Sequence, residues 1–193
     1  MSDAPLSWSA LEAVHEHFRR KAFALVEDGQ ELAPQLFAVR ANPRGEILQM
    51  KPFPADIMRR AFADDLGKRA FALMLRDLTN DTTFRAANLR LLGFTPNVYV
   101  QIAEAWFVMR DAEDGKLIEA SLPVSAQADR RECVFIALHL TGRSVVVRHE
   151  IVDKPRRHAL RGAFPADNAD LAASRGLFAM QDPTRGKREK RDG

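Results

Sequence analysis

One cysteine, Cys133, and one tyrosine, Tyr99, stand in a chain of 193 residues. A single thiol allows no disulfide within the chain and no thiolate zinc cage. Excess charge is also scarce: 29 Lys and Arg against 26 Asp and Glu leave a formal net charge of +3. The basic pI of about 9.3 owes much to the last residues, so it is thin support for a nucleic-acid partner. No apolar run approaches the roughly 20 residues that span a bilayer; the best one, 96–110, is broken by Gln101 and Glu104. The start, Met1-Ser-Asp-Ala-Pro-Leu-Ser-Trp, lacks a basic segment followed by an apolar stretch, so no secretory signal and no membrane partner are expected. Walker, dinucleotide, G-x-S-x-G and His-Glu-x-x-His patterns are all missing, so neither a cofactor nor a metal is expected.

What remains is an ordinary globular composition, 46% hydrophobic and 28% charged, long enough to bury one sizeable core. Ser9-Ala10-Leu11-Glu12 reads as a capping box opening a helix on which Leu11, Val14, Phe18, Ala22 and Leu25 recur, with Asp28-Gly29 at its end. Asn42-Pro43-Arg44-Gly45 is turn chemistry between two extended segments, 32–40 and 46–51, which predicts a hairpin. After Pro52 and Pro54, Asp56 can cap a second helix carrying Ile57, Met58, Ala61, Phe62, Leu66, Phe71, Leu73, Met74 and Leu78; Gly67 argues against one straight rod. A shorter helix is expected over 82–92, closed by Gly93.

A strand is expected over 97–109. Val98, Val100, Ile102, Glu104, Trp106 and Val108 share one face of it, so Glu104 points with the row a core would claim. An ionised carboxylate there needs a partner, and an arginine of Asp129-Arg130-Arg131-Glu132 is the expected one. Segments 131–140 and 144–152 form the clearest hairpin, joined around Thr141-Gly142-Arg143. Its pattern puts Glu132, Val134, Ile136 and Leu138 on one face with Val145, Val147, His149 and Ile151.

Glu104, Glu132 and His149 thus each interrupt an apolar strand face, and could converge if the strands are neighbours. Two carboxylates and an imidazole suffice for general acid–base chemistry. Against this stands a structural reading, in which Arg130, Arg131 or Arg148 satisfies the glutamates and His149 is a core histidine. Other candidates have simpler explanations. In His15-Glu16-His17 the spacing does not put the histidines on one helical face, so it reads as a solvated helix surface. His139 lies six residues from Cys133, about 20 Å at ~3.3 Å per residue, so a buried thiol is expected. Asp111, Glu113 and Asp114 lack the frame of a calcium loop. Arg156, Arg157, Arg161, Arg185, Lys187, Arg188, Lys190 and Arg191 are basic binding candidates, able to touch phosphates without reading sequence.

The order of segments also resembles a family. Asp28-Gly29 before Pro34-Gln-Leu-Phe-Ala, Gly45-Glu-Ile with Pro-Phe-Pro after it, Glu104-Ala-Trp106, and Ser125-x-x-x-Asp129-Arg130-x-Glu132 are similar to an uncharacterised bacterial and phage family of small α+β proteins. The likeness covers roughly residues 26–152; it implies a compact α+β domain and points to no particular activity. Family members carry His-Pro just before the Asp, where this chain has Gln127-Ala128, and the helix over 82–92 looks like an insertion.

These readings converge on an α+β protein with a mainly antiparallel sheet of about five strands and helices packed on one side. Residues 1–153 would form the domain, 154–182 a partly ordered extension, and 183–193 a disordered basic tail. Leu160, Phe164, Leu171, Leu177 and Phe178 are too apolar for a pure linker, so part of the extension is expected to dock. The expected function is a non-catalytic protein-interaction or accessory role in a bacterial or phage-infected cytoplasm, with a protein partner or homo-oligomer. The alternatives are a hydrolase-like acid–base enzyme centred on Glu104, Glu132 and His149, and a sequence-nonspecific nucleic-acid binder using the basic C-terminal segment.

Overall fold

The computed structural model describes residues 5–28, 32–80, 90–108, 130–141, 143–152 and 159–161; at 27, 65, 80, 105–108, 130–132, 150, 152 and 159–161 only the backbone is described. The predicted basic candidates Arg156, Arg157, Arg185, Lys187, Arg188, Lys190 and Arg191, the loop acids and residues 82–89 of the helix expected over 82–92 lie outside these residues, as does the side chain of Arg161; residues 90–92 are helical.

Helix α1, Trp8–Glu27, starts two residues earlier than the Ser9 box suggests: the N-cap is Ser7, whose hydroxyl accepts the Ala10 N–H at 3.2 Å. Capping by Ser7 lets Ala10 and Leu11 enter the first turn and join the apolar stripe of Val14, Phe18, Ala22 and Val26. Strands β1, Gln35–Ala41, and β2, Ile47–Pro52, form the first hairpin. Its turn is held by Asn42, whose side-chain oxygen accepts the N–H groups of Arg44 and Glu46 at 2.9 and 3.0 Å. Gly45 adopts φ +82°, and a Cβ there would overlap the Ala10 carbonyl oxygen, so this turn and α1 approach as only glycine permits.

The second helical stretch is two helices, α2, Ala55–Ala63, and α3, Asp65–Asn80. The break is at Asp64, whose backbone is extended and whose carboxylate accepts the Gly67 N–H at 2.6 Å, capping α3. A Cβ on Gly67 would meet the carbonyl oxygens of Arg60 and Ala61 at 2.8 Å, so the glycine permits the tight elbow. The predicted Asp56 cap is not made; Pro54 holds the N-cap position of α2, and Asp56 sits in the first turn.

Four more strands follow: β3, Val98–Val108; β4, Arg130–Leu140; β5, Arg143–Val152; and β6, Ala159–Arg161. All pairings are antiparallel, in the order β2-β1-β3-β4-β5-β6. The α+β class and antiparallel sheet agree with the sequence reading, with β6 drawn from the segment expected to be an extension.

The helices do not share one side. Phe37 and Val39 of β1, Val98, Val100 and Ile102 of β3, Val134, Ile136 and Leu138 of β4, and Val145 and Val147 of β5 pack with α1. The alternate residues Leu36, Ala38 and Tyr99 pack with Met58, Phe71, Leu75 and Leu78 of α2 and α3 on the opposite face. The physical reason lies in β1 and β3, which are apolar on both faces and need a cover on each. Among the described residues no helix is long and apolar enough to cross a membrane.

Candidate functional site

Strand register settles which polar groups share the α1 face. Glu104 of β3 stands opposite Val134 of β4, which stands opposite His149 of β5. Glu104 and His149 therefore start from one side of the sheet; the side chain of Glu132 lies outside the described residues.

Their described contacts nevertheless diverge. Glu104 is half-buried, and its Oε1 accepts the backbone N–H of Leu32 at 3.0 Å. It thereby anchors the entry to β1, with Leu32 itself buried. That backbone N–H is a partner the sequence reading did not foresee; the side chains of Arg130, Arg131 and Glu132 are outside the described residues, as is any arginine pairing they make.

His149 meets a residue that sequence reasoning set aside. Its Nε2 lies 2.9 Å from Nε2 of His15, on α1, and both rings are buried. The ring centroids are 5.1 Å apart with 26° between the planes. That centroid separation is close to the greatest a 2.9 Å N···N contact allows, so the rings meet edge to edge around one shared proton. The two Nε2 lone-pair directions point at each other and do not converge on a third point, which is hydrogen-bond geometry and not chelation. No group of three or more His, Cys, Asp or Glu disposed around a metal occurs among the described residues.

Burial first, and then the neighbouring His149, push the His15 pKa down to about 3, so its imidazole is neutral in the fold. The reading of His15-Glu16-His17 as a solvated surface therefore fails for His15, while Glu16 and His17 are both half-buried. Glu16 makes a two-point pair with Arg19 at 2.6 and 3.0 Å, which lowers its carboxyl pKa. His15 had a signal in the sequence: it sits four residues after Leu11 and three before Phe18, within the apolar stripe.

A second polar group lies on the α2–α3 face. His139 of β4 is buried; its Nδ1 is 2.9 Å from Oγ of Ser144, its direct cross-strand partner on β5, and its Nε2 is 3.2 Å from Oε1 of Gln101 on β3. Gln101 is fully buried and Ser144 is exposed. Burial pushes the His139 pKa down to about 4. Cys133 is buried and is not part of this group, in keeping with its reading as a core thiol.

Comparison of the chain with family models, with curated proteins and with solved structures finds no match, so the geometry alone carries the functional argument.

Proposed function

We propose that this protein acts by binding a protein partner, a second copy of itself included, and not by acid–base catalysis at Glu104, Glu132 and His149. The observation behind the reading is the closure of α1 over His149, which is 0% exposed and whose Nε2 is engaged by His15. A general base must reach the proton it removes, directly or through one water. Here the imidazole edge is spent on a neighbouring ring, and the half-buried carboxylate is spent on a backbone N–H.

Surface chemistry supports the binding reading. Leu66 is 77% exposed and Leu73 49%, and with Ala70 between them they form an outward stripe at i, i+4 and i+7 on α3. The stripe lies opposite Phe71, Leu75 and Leu78, which already face the sheet. Ile57 on α2 and Leu48 on the edge strand β2 are exposed as well. Large apolar side chains grouped on a surface are a feature of interaction sites.

The test is the full chain carrying Leu66→Asp and Leu73→Asp, with sedimentation for self-association and photo-crosslinking from the exposed position 70 between them in cells for a partner. A dimer or a discrete cross-linked protein, lost in the double variant while the circular dichroism is unchanged, supports the reading. Hydrolytic turnover by the wild-type protein that vanishes in His149→Asn overturns it.

A further inference from the structure

The Gln101–His139–Ser144 chain has the arrangement of an activated nucleophile. With Oε1 of Gln101 facing the ring, His139 can meet it only by donating, which puts the ring proton on Nε2. Nδ1 is then the lone-pair nitrogen, and it accepts the Ser144 hydroxyl proton across 2.9 Å. Nucleophile, base and orienting group thus stand in the order that serine activation requires, on three adjacent strands. The histidine that receives the proton is buried and neutral, whereas the serine is exposed. The opposite arrangement holds beneath α1, where both rings are closed off.

Two further features fit. Thr141 donates its hydroxyl to the Thr79 carbonyl at 3.0 Å, tying the β4–β5 turn to the last turn of α3 and holding Ser144 beside it in place. Leu140 pairs with Arg143 across a two-residue turn, the hydrogen-bonded position of such a hairpin, so the next pair, His139 and Ser144, turns its backbone groups outward. β6 pairs only with Glu150, Ile151 and Val152, so among the described residues no strand covers the edge at Ser144. The Ser144 N–H points toward that edge, where a backbone donor can face a developing oxyanion.

We propose that Ser144 is an acyl-accepting nucleophile with His139 as its general base and Gln101 as the positioning residue, and that its substrates are esters with good leaving groups. Ser144 Oγ forms a bond to the acyl carbon, and the acyl–oxygen bond breaks. The hydroxyl proton passes to His139 Nδ1 and from there to the departing oxygen. Gln101 orients the ring but, being neutral, does not stabilise the imidazolium, so the serine ester accumulates and turnover is slow. This site lies on the other face of the sheet from the His15–His149 pair and is independent of the partner-binding reading.

The experiment treats the full chain with a fluorophosphonate, which bonds phosphorus to Oγ with loss of fluoride, and maps the adduct by mass spectrometry. Ser7 in the same chain is the internal reference. General-base assistance reaches on the order of 10²-fold for a base matched to the working pH; burial makes His139 a weaker base than that, so Ser144 should label roughly 10 times faster than Ser7. With 4-nitrophenyl acetate a burst of one equivalent of nitrophenolate is expected, absent in Ser144→Ala. His139→Gln should bring Ser144 down to the Ser7 rate, and Gln101→Ala, which removes the acceptor that orients the ring, should slow Ser144 labelling as well. Equal labelling of Ser144 and Ser7 in the wild-type chain overturns the proposal, whatever the variants do to the fold.

Discussion

Mild acid should destabilise this fold steeply, because two neutral histidines are buried in it. His15 and His139 are pushed down to about 3 and about 4 in the folded chain, against about 6.5 in an unfolded one. Below about pH 6.5 the unfolded chain takes up protons that the folded chain refuses, so stability is full above that value and falls as pH drops. Each group contributes about 1.4 kcal/mol per pH unit, hence about 2 kcal/mol by about pH 5 and about 4 kcal/mol for the pair. For a domain of this size that is a fall in Tm of roughly 8–16 °C. His17 is displaced in the same direction by burial and adds to the slope. Glu16 does not interfere, because its lowered carboxyl pKa places its own loss at more acid pH. Thermal melts followed by circular dichroism between about pH 7.5 and about pH 5, at constant ionic strength, read the effect directly. A Tm that moves by less than about 3 °C over that range would refute the assignment of both rings as buried and neutral.

Gly45→Ala should cost more than Gly93→Ala: both glycines have positive φ, worth about 1–2 kcal/mol to an alanine, but only at Gly45 does the added Cβ strike α1. Equal urea midpoints for the two variants would remove that account. Glu104→Ala should cost about 1.5–3 kcal/mol, the scale of a charged hydrogen bond, while Glu104→Gln, which still offers an oxygen to Leu32, should cost clearly less by the same assay. Replacing either His15 or His149 by Leu should cost about 1–3 kcal/mol by leaving the other ring's Nε2 buried and unmatched. The double replacement should lose less than the sum of the two, and an additive cycle would show that the rings do not share a proton.

Much of the frame was local enough to be read from the chain. The β4–β5 hairpin follows from period-two alternation meeting a two-residue turn, and its register puts Val134 opposite His149 and Ile136 opposite Val147 as the pattern demands. The stripe from Leu11 to Val26 makes α1 a one-faced helix wherever it docks. What alternation cannot express is which cover each face receives. Phe37 and Val39 belong to one core and Leu36 and Ala38 to the other, a doubly buried strand whose continuous apolar run signals two covers without saying which helices supply them. The site shows the same division. The sequence by itself determined that Glu104 and His149 face one way, because side-chain direction in a strand is a property of the local backbone. Only the tertiary structure decided that His149 would meet His15 across 134 residues of chain, and that Ser144, His139 and Gln101 would line up across three strands. Those meetings depend on strand order and helix docking, which no local spacing encodes.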